Sequence, residues 1–128
     1  MDKNFYITTP IYYPSAKPHM GHAYSSIVAD FFARFKIIDD YKVHFLTGTD
    51  EHGLKIQRSA ERAGETPQKF CDQISKTFRD LSDTLNLCNT DFIRTTEDRH
   101  KKTVQYLWSE LEKNCLLYTS PSPRDPSI

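Results

Sequence analysis

Phe5 and Ile7 alternate along the chain and lead into Thr8 and Thr9, which predicts a short strand stopped by Pro10. Three prolines and two tyrosines then mark a loop from Pro10 to Pro18. From His19 the period changes. Ile27, Phe31 and Phe35 recur every fourth residue with Val28 and Phe32 beside them, which predicts a helix whose aromatic stripe is core. "DDY" ends that helix, and "YKVHFLTGTDEHG" predicts a second strand with Val43 and Phe45 on one face, closed by Gly48. A second helix is expected from about Gly53 to Ala63 with Gly64 as its stop. A third starts with Thr66 as N-cap and Pro67 in the first position, carrying the stripe Phe70, Ile74, Phe78, Leu81 and Leu85. "DFIRT" reads as a third short strand. Thr95 or Thr96 is then expected to cap a last helix bearing Val104, Leu107, Trp108 and Leu111.

Strand, helix and strand within fifty residues form a βαβ unit, in which ligands bind beyond the carboxyl ends of the strands. Both unusual stretches lie there. "TTPIYYPSAKPHMGH" follows the first strand and "TGTDEHG" follows the second.

His19 and His22 stand three apart in a first helical turn and so face the same side. A helix N-terminus presents unpaired N–H groups and partial positive charge, which attract phosphate. Two imidazoles there add donors to phosphate oxygens, and Gly21, lacking a side chain, lets a flat ring approach the backbone. The bland alternative is a pair of surface histidines at a helix start. A metal site fits less well, because no Glu or Cys stands at a zinc-signature spacing. Asp50 and Glu51 have a bland alternative too, as caps of the next helix. The functional reading puts a carboxylate at the end of strand two, opposite the helix mouth, where it receives an ammonium. Tyr12 and Tyr13 are either loop packing or ligand contacts.

Composition narrows the classes. The chain's 128 residues are 38% hydrophobic and 12% aromatic, enough for a core, and its 17 basic and 17 acidic residues balance, so no polycationic surface advertises nucleic acid. No run approaches the ~20 apolar residues of a membrane span, and the first ten residues lack a secretory signal's apolar centre. Cys71, Cys88 and Cys115 form neither a zinc pair nor a disulfide framework, so a reducing cytoplasm is the expected location.

"ITTPIYYPSAKPHMGHAY" followed by "FLTGTDEHGLKIQ" resembles the amino-terminal part of the bacterial-type methionyl-tRNA synthetases, with "HMGH" in place of the H-I-G-H signature of class I aminoacyl-tRNA synthetases. The resemblance runs from about Asn4 to Asn114. It implies an α/β fold, the first half of a Rossmann-like parallel-sheet nucleotide-binding domain with following helices. It implies a methionine–tRNA ligase that activates L-methionine with ATP, accompanied by Mg2+, and transfers it to tRNA(Met). Carried over by position, His19 and His22 match the catalytic histidines on the ATP phosphates, and Gly21 matches the glycine beneath adenine. Pro10, Ile11 and Tyr13 fall where the methionine pocket and its aromatic gate begin, and Asp50 matches the carboxylate for the α-ammonium.

The departures are large. K-M-S-K-S, the pocket's aromatic wall, the second half of the nucleotide fold, the anticodon-reading domain that meets tRNA and the zinc-binding cysteines of some members are missing from these residues. The chain therefore reads as a fragment, inactive alone. Residues 1–114 are expected to be the N-terminal part of the catalytic domain. "CLLYTSPSPRD" within 115–128 resembles a translated sequencing adapter, and this tail is expected to be non-native or disordered. The alternatives are another class I synthetase (leucine, isoleucine, valine or cysteine) and a nucleotide-binding module without catalysis.

Overall fold

A computed structural model describes residues 3–114 and 116. Apart from Leu116, the expected tail lies outside the described residues. Two compact units divide the chain, residues 1–96 and 97–128.

The first unit runs β1 (Asn4–Thr8), α1 (Met20–Ile38), β2 (Lys42–Thr49), α2 (Leu54–Ala63), α3 (Pro67–Thr84) and β3 (Asp91–Arg94). The strands are parallel in the order β1-β2-β3, with Ile7 beside Phe45, Thr47 beside Phe92 and Thr49 beside Arg94. Facing partners of a parallel pair share a sheet face. Ile7, Val43 and Phe45 accordingly pack with Ala29 and Ala33 of α1, while Phe92 packs with Tyr12 and with Phe78 and Ile74 of α3. Both helices thus cover one face of the sheet. On the other face Tyr6 is 60% exposed and stacks on His44 at 5.3 Å.

Three sequence expectations need correction. The core face of α1 is not its aromatic stripe: Ala23, Ser26, Ala29, Asp30 and Ala33 are buried, whereas Phe31 is 65% exposed and Ile27, Val28, Phe32 and Phe35 are exposed with it. Two helical stripes compete in this sequence, and the small one wins because fully buried Ala33 lets the helix approach Phe45 closely. Gly48 does not close β2, which continues through Thr49. A Cβ on Gly48 would sit 2.0 Å from the Ile93 carbonyl oxygen, so the glycine permits β3's close approach rather than a turn. Third, neither Thr95 nor Thr96 caps the last helix.

The remaining boundaries follow local chemistry. Gly64 adopts a left-handed conformation (φ 69°) at the end of α2, and the Thr66 hydroxyl accepts from Lys69 N–H at the start of α3. Burial along α3 follows Phe70, Cys71, Ser75, Phe78 and Ser82. Asp30 clips α1 to the segment before β3: its carboxylate accepts from Cys88 N–H at 2.6 Å and from Arg34 at 2.6 Å. Burial pushes that carboxyl up, but the Cys88 and Arg34 bonds outweigh it and hold its pKa below the ordinary value.

The second unit contains α4 (Asp98–Lys113), with Glu97 at the N-cap position and no side-chain cap. Val104, Leu107 and Trp108 are exposed on it.

Candidate active site

The mouth of α1 is closed by its own histidines. His19 is the N-cap; its Nδ1 accepts from Gly21 N–H at 3.1 Å, and His22 Nδ1 accepts from His19 N–H at 3.1 Å. This is a capping box built from imidazoles, satisfying two donors that a helix start leaves unpaired. The rings lie 3.9 Å apart at a 36° tilt. An Nδ1 that accepts carries no proton, so each neutral ring holds its proton on Nε2. Neither Nε2 has a hydrogen-bond partner among the described residues. Burial, and then the neighbouring His19, lower the pKa of His22 below its ordinary value, which favours the neutral ring. Gly21 takes part directly: a Cβ there would meet the His19 ring at 2.9 Å, so glycine leaves room for the ring as it folds over the helix start.

Tyr12 ties this mouth to the end of β2. Its backbone forms a bridge with Thr49, its N–H donates to the Gly48 carbonyl and its carbonyl accepts from Asp50 N–H, both at 2.8 Å. Its ring stacks on Phe78 at 5.4 Å and meets His22 edge-on at 4.9 Å, and its hydroxyl pairs with Ser26 at 2.8 Å. Tyr12, 7% exposed, is thus a packing residue. Tyr13 is 37% exposed, and its hydroxyl donates to the His52 carbonyl, spanning from the first loop to the second. Gly53 (φ 106°) lies beneath it, where a Cβ would meet the Tyr13 hydroxyl at 2.5 Å. Pro10 and Ile11 are exposed on the same loop.

Beyond β2, the neighbouring acids Asp50 and Glu51 have opposite fates. The Glu51 side chain is fully buried. It accepts two bonds from Arg94 (2.7 and 2.9 Å), one from Thr49 (2.8 Å) and one from Thr96. Burial pushes Glu51 up, yet the Arg94, Thr96 and Thr49 bonds prevail and hold its pKa below the ordinary value. Arg94, raised in turn by its bond to Glu51, also reaches Asp72 at 2.5 Å. Glu51 N–H donates to the Thr95 hydroxyl (2.8 Å), which lies 3.0 Å from His52 Nδ1. Thr95 and Thr96 are therefore spent on the end of β2, which is why they do not cap α4. Asp50, by contrast, is half-buried, and among the described residues its carboxylate takes only a 3.5 Å contact from His52 N–H. Gly53 is the N-cap of α2 and has no side-chain cap, so neither acid caps that helix. Buried Cys71 stands nearby with its thiol pushed up to about 11, chiefly by burial, and is unreactive at neutral pH.

Sequence reading singled out His19, Gly21, His22 and Asp50, and it did not foresee the cluster that Glu51 forms with Arg94, Thr95 and Thr96. A strand ending in an acid and a neighbouring strand ending in Arg-Thr-Thr was the available signal, readable only once β2 and β3 are paired.

A family model for class I tRNA synthetases (M) matches residues 5–123. The chain belongs to this family. It is 52% identical over 117 residues to the mitochondrial methionine–tRNA ligase of Takifugu rubripes, covering 91% of this chain and 20% of the relative. Against the methionine–tRNA ligase of Rickettsia bellii the figures are 50% over 118 residues, 92% and 23%. A solved structure of Mycobacterium tuberculosis methionyl-tRNA synthetase in complex with methionyl-adenylate superposes with a TM-score of 0.85 at 44% identity, over 87% of this chain and 22% of that one. The three parallel strands and their helices are the Rossmann-like arrangement of that synthetase. The chain spans roughly a fifth of the length of these relatives. Among the described residues no helix is long and apolar enough to cross a membrane.

Proposed function

We propose that this segment supplies part of the active site of a methionine–tRNA ligase, with residues 1–114 as the N-terminal part of its catalytic domain. The full-length enzyme would join L-methionine to ATP and pass the methionyl group to tRNA(Met), working in a reducing cytoplasm. One observation carries the reading: both histidines at the α1 mouth turn Nδ1 into the helix cap and keep Nε2–H as a donor.

In the first step a methionine carboxylate oxygen attacks the α-phosphorus, the bond from that phosphorus to the bridging oxygen breaks, and pyrophosphate leaves. The attacking carboxylate is already ionised, so no protein base is required. Stabilising charge on the phosphate oxygens and holding the reactants in line is what remains for the protein. An imidazole whose Nδ1 accepts in the cap offers one aimed Nε2–H to those oxygens. Asp50, with its carboxylate nearly free, would hold the α-ammonium, and Pro10, Ile11 and Tyr13 would border the side chain. In the second step a hydroxyl of the tRNA's terminal adenosine attacks the methionyl carbonyl and AMP leaves. Magnesium would arrive with the nucleotide and supply positive charge to its phosphates. No group of three metal-ligating side chains converges among the described residues, so no protein cage for it is built here.

The test is amino-acid-dependent pyrophosphate exchange by the full-length enzyme carrying this segment, with a panel of amino acids. Exchange selective for methionine is expected; exchange driven by leucine, isoleucine, valine or cysteine instead would overturn the reading.

A further inference from the structure

We propose that the buried Glu51–Arg94 pair is a positioning device for the substrate's α-ammonium, holding Asp50 where it can meet that charge. The proposal rests on the reading of Asp50 given above. Four residues in a row, Thr49 to His52, follow the end of the sheet, and three of their side chains are committed to the protein. Thr49 bonds Glu51 and lies 3.2 Å from Ser75. Glu51 is gripped by Arg94, Thr49 and Thr96, and His52 meets Thr95. Among the described residues the Asp50 carboxylate takes no more than the long contact from His52 N–H, while its own N–H is fixed to the Tyr12 carbonyl on one side and the Glu51 N–H is fixed to Thr95 on the other.

The strand register explains why Arg94 is the residue that does this. Thr49 and Arg94 are partners in the β2–β3 ladder, so the guanidinium leaves the sheet beside the point where β2 ends and reaches the carboxylate two residues on. A fork of two parallel N–H donors fixes both the direction and the plane of Glu51, which a single-point lysine charge would not. Arg94 also balances the charge of Glu51. Without that, the two adjacent carboxylates would repel, and the half-buried one would be driven from its position toward water. Glu51 and Arg94 do not touch the substrate; they act through the backbone on either side of Asp50.

Exchange kinetics of the full-length enzyme carrying Arg94→Lys test this, with methionine and ATP varied separately well below the melting temperature. Arg94→Lys keeps the charge and loses the fork, so the methionine KM should rise about tenfold while the ATP KM stays within about twofold. Thr96→Val, which removes one hydroxyl donor to Glu51 at constant shape, should raise the methionine KM in the same direction by a smaller factor. Unchanged methionine KM in both folded variants would overturn the proposal, as would equal rises in both KM values or failure of both variants to fold. A wild type selective for another amino acid would overturn the methionine reading alone, since every amino acid carries the α-ammonium and the same KM test then applies to that substrate. A wild type that exchanges with no amino acid would overturn both.

Discussion

The carboxyl end of β2 and the outer face of α1 distribute polarity in opposite ways. At the end of β2 a glutamate side chain is fully buried, while on α1 Phe31 is 65% exposed and Phe32 and Phe35 are about half exposed. Residue type alone would have exchanged the two. What decides each case is the partner available. Glu51 has two guanidinium donors and two hydroxyls converging on it, which replace the water it gives up. The sheet takes the alanine stripe of α1, and among the described residues Phe31 and Phe32 meet each other edge-on at the surface rather than a sheet residue. Polar groups are thus held by converging hydrogen bonds at the end of β2, and the large apolar side chains of α1 are left at the surface.

Breaking one side of the buried pair should have the largest effect. Arg94→Met leaves Glu51 buried without its counter-charge, and stranding one member of such a pair costs ~3–5 kcal/mol. Thermal melting of the full-length enzyme should show it as a large loss; a melting temperature near wild type would mean that Glu51 is solvated after all.

A smaller effect is expected from pH at the α1 mouth. The folded pKa of His22 lies below its ordinary value of 6.5, so the folded chain binds that proton more weakly than the unfolded chain. Its contribution to stability is therefore present above about 6.5 and is lost as pH falls through the lower folded value. Protonation of Nδ1 would also expel the His19 N–H from the cap. An imidazole titration of His22 by NMR should give a midpoint below that of a free histidine, and a midpoint above it would reverse the sign.

The smallest effect belongs to the exposed face. Phe31→Ser should alter melting within about 0.5 kcal/mol, as surface substitutions do, while raising solubility. A loss of several kcal/mol would show that Phe31 is packed.

The contrast also explains what could be read before the fold was known. Local signals carried the βαβ unit, the Thr66–Pro67 helix start, the Gly64 stop and the H-x-G-H helix mouth, because each is decided within a few residues of its own sequence. The face of α1 could not be read this way. Its aromatic and alanine stripes both have helical period, and only Phe45, on a separate strand, selects between them. Gly48 looked like a strand end because its reason, the Ile93 carbonyl, lies 45 residues further along the chain. The Glu51 cluster was hidden for the same cause: Arg94, Thr95 and Thr96 meet it only through the β2–β3 register.

In the proposed enzyme the α1 mouth serves phosphate and the end of β2 serves the ammonium. Pyrophosphate exchange by the full-length enzyme, comparing His22→Ala with Asp50→Asn, tests that division most directly. Loss of one preorganised donor in His22→Ala should lower kcat by about a hundredfold and leave the methionine KM near wild type. Asp50→Asn should instead raise the methionine KM, at a cost of roughly 2–3 kcal/mol for a lost charge-assisted contact, and spare the ATP KM. The same kinetic change in both variants, or an unchanged methionine KM in Asp50→Asn, would contradict the account.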